Sequence, residues 1–200
     1  MNKTNGTILF MLIAISIISC SPKNISSRYY FQHEKVLDNI EESYKKIYKS
    51  NPFSIGFSSR DFKTVSVTIK TDTLNYIYEF TVGESRLADT LTKYHLPAAS
   101  VISLISQMQS IRCTWISNYN YYVDEKKQSL IFMSIKPVAL KAPFKNAKYY
   151  ILTYFAQPQY FDSEGRLLDR RKMKTLRKIN GEIFKRINNK VCYTISVRYR

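Results

Sequence analysis

The stretch Val65-Ser66-Val67-Thr68-Ile69-Lys70-Thr71-Asp72-Thr73-Leu74-Asn75-Tyr76-Ile77-Tyr78-Glu79-Phe80-Thr81-Val82 decides the fold. Apolar residues alternate with mostly polar ones on either side of the polar turn Thr71-Asp72-Thr73. Successive side chains of a strand point to opposite faces, so Val65, Val67 and Ile69 share one face of the first strand. Leu74, Tyr76, Tyr78, Phe80 and Val82 share one face of the second. So short a turn joins only antiparallel neighbours. The stretch is therefore a half-buried hairpin, and its apolar face needs a covering layer.

Outside the hairpin, the period changes from two to between three and four. Upstream, His33, Val36, Leu37, Ile40, Tyr44, Ile47 and Tyr48 form one stripe of a helix over 29–49, which Asn51-Pro52 ends. Glu41 with Lys45 and Glu42 with Lys46 are spaced to pair on its outer side. Downstream, Ser85 to Lys93 reads as a short polar helix. Pro97 then opens a mostly apolar helix carrying Val101, Ile102, Leu104, Ile105 and Met108. Strands are predicted over 111–123, with Ile111, Cys113, Trp115, Tyr119, Tyr121 and Val123 on one side, and over 130–135 after a turn at 124–127. Further strands are predicted over 149–155, from Arg166 to Leu168 after the Asp162-Ser163-Glu164-Gly165 turn, and over 191–199. The predicted fold class is α+β: an antiparallel sheet of about six or seven strands with helices packed on one face.

Composition agrees. Of 200 residues, 44% are apolar and 23% charged, with 5 Gly and 6 Pro, which excludes disordered, collagenous and large multidomain chains. The 16 Tyr and 11 Phe favour strands, where flat side chains pack on a pleated surface.

The amino terminus carries a separate signal. An apolar run from Ile8 to Ile18, interrupted by Ser16 and preceded by Lys3, rises about 16 Å as a helix against a hydrocarbon core of about 30 Å. It reads as a secretory leader rather than a span. It ends in Ile17-Ile18-Ser19-Cys20, which resembles the lipobox of bacterial lipoproteins. Ile17 and Ser19 stand where Leu and Gly or Ala are usual, as in lipoproteins of the Bacteroidetes group. The resemblance covers Met1 to about Ser21. It implies cleavage between Ser19 and Cys20 with loss of the leader 1–19. It also implies a diacylglycerol thioether on Cys20 Sγ and anchoring in membrane lipid by palmitate-type acyl chains. Ser21 in place of an aspartate, and Ser21-Pro22-Lys23-Asn24 without acids, imply the periplasmic face of the outer membrane. Residues 20–28 are then expected as a lipidated polar tether and 29–200 as a single α+β domain.

The formal net charge is +16, and removing Lys3 with the leader leaves +15. From Arg166 to Arg200 twelve Lys or Arg stand against Asp169 and Glu182, a local excess of +10. Within Lys172–Asn188, Met173, Leu176, Ile179, Ile183, Phe184 and Ile187 fall on one helical face and Arg170, Lys174, Arg177, Lys178 and Lys185 on the other. The spacing predicts a basic amphipathic helix. Its charged side is a candidate surface for anionic lipid, an anionic envelope polymer or an acidic protein; the plain alternative is a helix packed on the sheet with solvated charges. Nucleic acid is not expected as a partner in the envelope.

Catalytic fingerprints are sparse. His33 and His95 do not share a metal-binding spacing, so no metal is expected; His33 reads as a core histidine and His95 as a helix-entry residue. No GxSxG, GxGxxG, P-loop or CxxC occurs, and no cofactor is expected. Glu41-Glu42 and Asp124-Glu125 are adjacent acids that do not face one another and read as solvated surface. Tyr119, Tyr121, Tyr149 and Tyr154 are candidates to line an aromatic groove for sugar or peptide, with core packing as the alternative. Cys113 and Cys192 fall on unlike strand faces, so free thiols are expected rather than a disulfide. The expected function is a membrane-anchored, periplasm-facing binding or assembly module. The alternatives are an envelope enzyme acting on peptidoglycan or glycans, and an immunity or inhibitor lipoprotein with a basic binding face. Whether it is an enzyme stays open, leaning to no.

Overall fold

Alternating strands and striped helices assemble, in a computed structural model, into α1 (Pro22–Tyr48), β1 (Phe53–Phe57), β2 (Thr64–Lys70), β3 (Asn75–Thr81), α2 (Ser85–Lys93), α3 (Ala98–Ser110), β4 (Trp115–Val123), β5 (Lys126–Pro137), β6 (Tyr149–Phe155), β7 (Lys178–Ile179), β8 (Glu182–Ile183), β9 (Lys185–Arg186) and β10 (Val191–Ser196). The structure describes residues 21–123, 126–137, 148–170 and 172–197. The leader 1–19 with its cleavage site at Ser19 and Cys20, and the turn residues Asp124 and Glu125, lie outside them. Eight strands form one antiparallel sheet in the order β3-β2-β1-β4-β5-β6-β10-β9, and β7 with β8 makes a separate small hairpin.

The β2–β3 hairpin pairs Val65 opposite Phe80, Val67 opposite Tyr78 and Ile69 opposite Tyr76. Its apolar face meets the helices. Leu37, Ile40 and Tyr44 of α1 and Val101, Leu104, Ile105 and Met108 of α3 pack with Phe53, Ile55, Val65 and Val67 in one core. Burying each such side chain contributes about 1.5–3 kcal/mol. Two tyrosine hydroxyls fix α1 in place: Tyr44 donates to the Phe53 carbonyl at 2.6 Å and Tyr29 to the Ile111 carbonyl at 2.7 Å.

Four expectations are corrected. Residues 22–28 are the first two turns of α1 rather than a spacer. Ser21 caps the helix by accepting from the Asn24 amide at 3.3 Å, and Pro22 sits in the first turn, where its missing N–H is not needed. Secondly, β1 was not expected; it is buried at every position and lies inside the sheet between β2 and β4. Thirdly, the predicted helix over 172–188 is absent. Its centre is Asn180-Gly181, both at positive φ (51° and 82°), which makes the tight turn between β7 and β8. The charges proposed for one helical face are spread over turns and short strands instead. Fourthly, the alternation of Val191, Tyr193 and Ile195 with Cys192, Thr194 and Ser196 predicts a polar outer face, yet β10 has no solvent face: Cys192, Thr194 and Ser196 are buried as well as Val191 and Tyr193.

The reason is a second core on the sheet face away from the helices. Leu130, Phe132, Ile151 and Phe155 of β5 and β6, with Cys192, pack there against Leu167, Ile179 and Phe184 from the segment 156–190. Cys113 belongs to the helix-side core and Cys192 to the other, so the sheet stands between two free, buried thiols.

Gly56 in β1 lies opposite Trp115 in β4. A Cβ on Gly56 would fall 1.8 Å from Trp115 Cε3. The indole therefore closes over the glycine, and no other residue fits without moving it. Gly56→Ala is expected to lower unfolding stability by about 1–3 kcal/mol in urea melts, the usual cost of overpacking. An unchanged midpoint would mean that the indole moves freely.

Candidate functional site

Most sequence-nominated residues do not converge. Side chains of β6 alternate, so Tyr149 lies in the second core while Tyr154 lies in the helix-side core. Tyr119 and Tyr121 pack against the second core; the Tyr119 hydroxyl donates to Asn180 Oδ1 at 2.7 Å, and the Arg177 guanidinium lies 4.6 Å from the Tyr121 ring centroid. The four tyrosines therefore line no common groove, because the sheet separates Tyr154 from the others. Of the candidate basic surface, Arg177 also donates to Gln159 Oε1 at 3.2 Å and Arg170 to Gln157 Oε1 at 3.4 Å, while Lys174, Lys178 and Lys185 are exposed. His33 is half-buried with its ring edge-on to Tyr29 at 4.8 Å, and His95 is an exposed residue at φ 57° just after α2. Cys113 is buried, and burial pushes its thiol up to about 12, so it is no ready nucleophile.

The site that does form was legible only in part. Where α1 crosses the ends of β6 and β10, an open groove of about 970 Å³ runs beside the helix. One wall is the outer side of α1, with Asp38, Glu41 and Lys45; the other carries Tyr154, Asn188 and Lys190. The turn Asn188-Asn189 builds that far wall. Asn188 Oδ1 accepts from the amides of Lys190 and Val191 at 2.8 and 2.7 Å, and its Nδ2 donates to the Tyr30 hydroxyl at 3.0 Å. Tyr30 in turn donates to Glu34 Oε1 at 3.0 Å. One asparagine thus shapes the turn and ties it to the helix.

Most of the groove's polar residues, Asp38, Lys45, Lys46, Lys49 and Lys190 among them, are exposed, while Glu41 is half-buried. Burial raises the Asp38 carboxyl above its ordinary range, reinforced by the Glu34 charge. Burial likewise raises Glu41, although the Lys45 ammonium at 3.8 Å pulls the other way. Tyr154 is only 6% exposed, its ring centroid lies 6.5 Å from that of Tyr30, and its hydroxyl has no hydrogen-bond partner among the described residues. Burial is the main reason its phenol resists ionisation, with the Tyr30, Asp38 and other nearby groups adding to it. A buried hydroxyl without a partner costs about 1–3 kcal/mol, a cost that a polar group able to reach it would relieve. Lys46, Lys49 and Lys190 ring the opening. Among the described residues, no cluster of three or more His, Cys, Asp or Glu is placed to hold a metal ion, and no helix is long and apolar enough to cross a membrane.

Comparison with family models, curated proteins and solved structures finds no match to this chain.

Two outcomes follow from the groove. Asn188→Ala removes the acceptor of two backbone amides and the link to Tyr30, and is expected to cost about 1–3 kcal/mol in a denaturant melt; no change would show that the turn holds itself. For Glu41, the raised folded-state pKa means that its protonated form favours the fold: the benefit is complete below its unfolded pKa and lost as pH rises through the folded one. Glu41→Gln, which cannot ionise, should therefore raise the melting temperature at pH 7 relative to the parent and lose that advantage near pH 3.

Proposed function

We propose that this chain is a lipid-anchored binding module of a bacterial cell envelope, held at the periplasmic face of the outer membrane through Cys20. Its α1 groove takes a polar envelope ligand that carries both carboxylate and amide groups. The observation that carries the binding reading is the buried, unpartnered Tyr154 hydroxyl, on a residue that lines the same groove as the Asp38 and Glu41 carboxyls and several lysines. The lysines attract the ligand's carboxylates from solution, and the phenol and Asp38 select its amides at close range.

The anchor reading draws support from where α1 begins. Ser21 caps a helix that starts at Pro22, directly after the cysteine of the lipobox-like tetrapeptide. A lipid on Cys20 would then be joined to a rigid rod rather than to a loose leash. Asp38 lies sixteen residues beyond Pro22, so an upright α1 would lift the groove about 24 Å from its own base. The module would face the periplasm at a fixed height.

Hydrolysis of glycans fits the same groove less well. Asp38 and Glu41 are three residues apart on one helix and so rise from one wall, whereas acid and base in glycosidases flank the scissile bond from two sides.

Two measurements test the proposal separately. Cys20→Ser should move the chain from membranes to the soluble fraction; continued partitioning into detergent would refute the anchor. Soluble peptidoglycan fragments should shift the NMR signals of Tyr154, Asn188 and Asp38. Tyr154→Phe should weaken that binding about five- to tenfold, the worth of one hydrogen bond, while making the free protein more heat-stable. Unweakened binding by Tyr154→Phe would remove the phenol from the site, and an absence of any shift would exclude this ligand class.

A further inference from the structure

One edge strand of the eight-stranded sheet is β3; the other is β9. Along the β2–β3 ladder the Thr71 amide donates to the Leu74 carbonyl at 2.9 Å and the Val82 amide to the Lys63 carbonyl at 2.8 Å. Both mark closely bonded pairs, and antiparallel pairing alternates bonded with unbonded pairs. The bonded pairs between them are therefore Ile69 with Tyr76, Val67 with Tyr78 and Val65 with Phe80. The backbone groups of Asn75, Ile77, Glu79 and Thr81 then point away from β2, where the sheet ends.

This edge carries Glu79 but lacks the commonest protection. Free edges are ordinarily guarded by lysine, proline or a bulge. In a chain with 31 Lys and Arg, the fourteen residues from Thr71 to Glu84 contain none, nor any proline. Apolar side chains stand open instead: Ile77 is 67% exposed and Leu74 57%. Tyr76, 38% exposed, extends a ring cluster with Tyr78 and Tyr94 on the helix side of the same strand.

We propose that β3 pairs antiparallel with β3 of a second copy of this chain about a two-fold axis at Ile77, joining two sheets into one. The edge is self-complementary in that register. Ile77, whose backbone groups point outward, makes a bonded pair with its own equivalent, and Asn75 and Glu79 make the next bonded pairs on either side. On that face the isoleucines meet, and the Asn75 amide can donate to the Glu79 carboxylate of the other copy. On the opposite face Tyr76 meets Tyr78, and Leu74 meets Phe80. The two Glu79 residues sit four positions apart, about 13 Å, beyond the screening length of about 8 Å at physiological salt. The chain's net charge is +16, and this edge, with Asp72, Glu79 and Glu84 but no base, brings none of that positive excess to the contact. The pairing depends neither on the groove nor on the lipid.

The full-length chain produced in a bacterial host provides the test. With Ile77→Cys, a short thiol-to-thiol crosslinker added to cells should trap a dimer. Gln32→Cys, exposed on α1, should not, and the chain without an added cysteine controls for reaction at Cys20; Cys113 and Cys192 are buried. In mild detergent, sedimentation should give twice the chain mass for the parent and one chain mass for Ile77→Lys, whose exposed position leaves the fold intact by its melting curve. No trapped dimer with Ile77→Cys, equal trapping with Gln32→Cys, or an unchanged mass for Ile77→Lys would overturn the proposal.

Discussion

Strands β5, β6 and β10 are covered on both faces, and that double burial is the constraint on which the remaining structure depends. In β6, Tyr150, Leu152 and Tyr154 point toward the helices while Tyr149, Ile151 and Phe155 point into the second core. A slip of one residue would exchange the two sets, so each core fixes the register for the other. The helices cannot shift along the sheet without disturbing the segment 156–190 beneath it. A single-sided sheet would hold its helices less firmly.

The groove follows from this arrangement. The alternation that sends Phe155 to the second core sends Tyr154 to the side of α1, and the chain then turns through Asn188 to bring Lys190 and Val191 back beside the helix. Burial is the largest cause of the upward shift at Asp38 and Glu41, with charges on α1 itself contributing: Glu34 at Asp38, and Lys45, Asp38 and Glu42 at Glu41. An electrostatic site on the surface of α1 thus combines burial with the helix's own charges. The buried, unpartnered hydroxyl of Tyr154 is a local cost that the two cores together can support.

Much of the fold was legible. The period of two over Val65–Val82 and the bounds of α2 and β6 emerged from alternation and stripes alone, as did a sheet with helices on one face. What escaped did so for physical reasons. β1, Phe53-Ser54-Ile55-Gly56-Phe57, alternates apolar with small residues, but over only five positions and directly after Asn51-Pro52, where serine and glycine read as loop punctuation. In the region 172–188, the apolar spacing of Ile179, Ile183 and Ile187 imitates a helix, yet Asn180-Gly181 in its middle is a strong hairpin signal and prevails. The polar character of Pro22 to Arg28 suggested a spacer, although serine before proline is a good helix start. The site was the least visible part. Asp38 and Glu41 are ordinary helix acids until Asn188, 150 residues beyond Asp38, is folded against them.

Native-state hydrogen exchange, read residue by residue across a denaturant series, tests the double burial most directly. If two cores clamp one sheet, the amides of Ile131 to Met133, Ile151 to Thr153, and Cys192 and Tyr193 should exchange together, only through global unfolding, and with the largest protection in the chain. Early release of the β6 or β10 amides, at denaturant levels where β1 and β2 stay protected, would mean that the C-terminal cover opens by itself and that the sheet rests on the helix-side core alone.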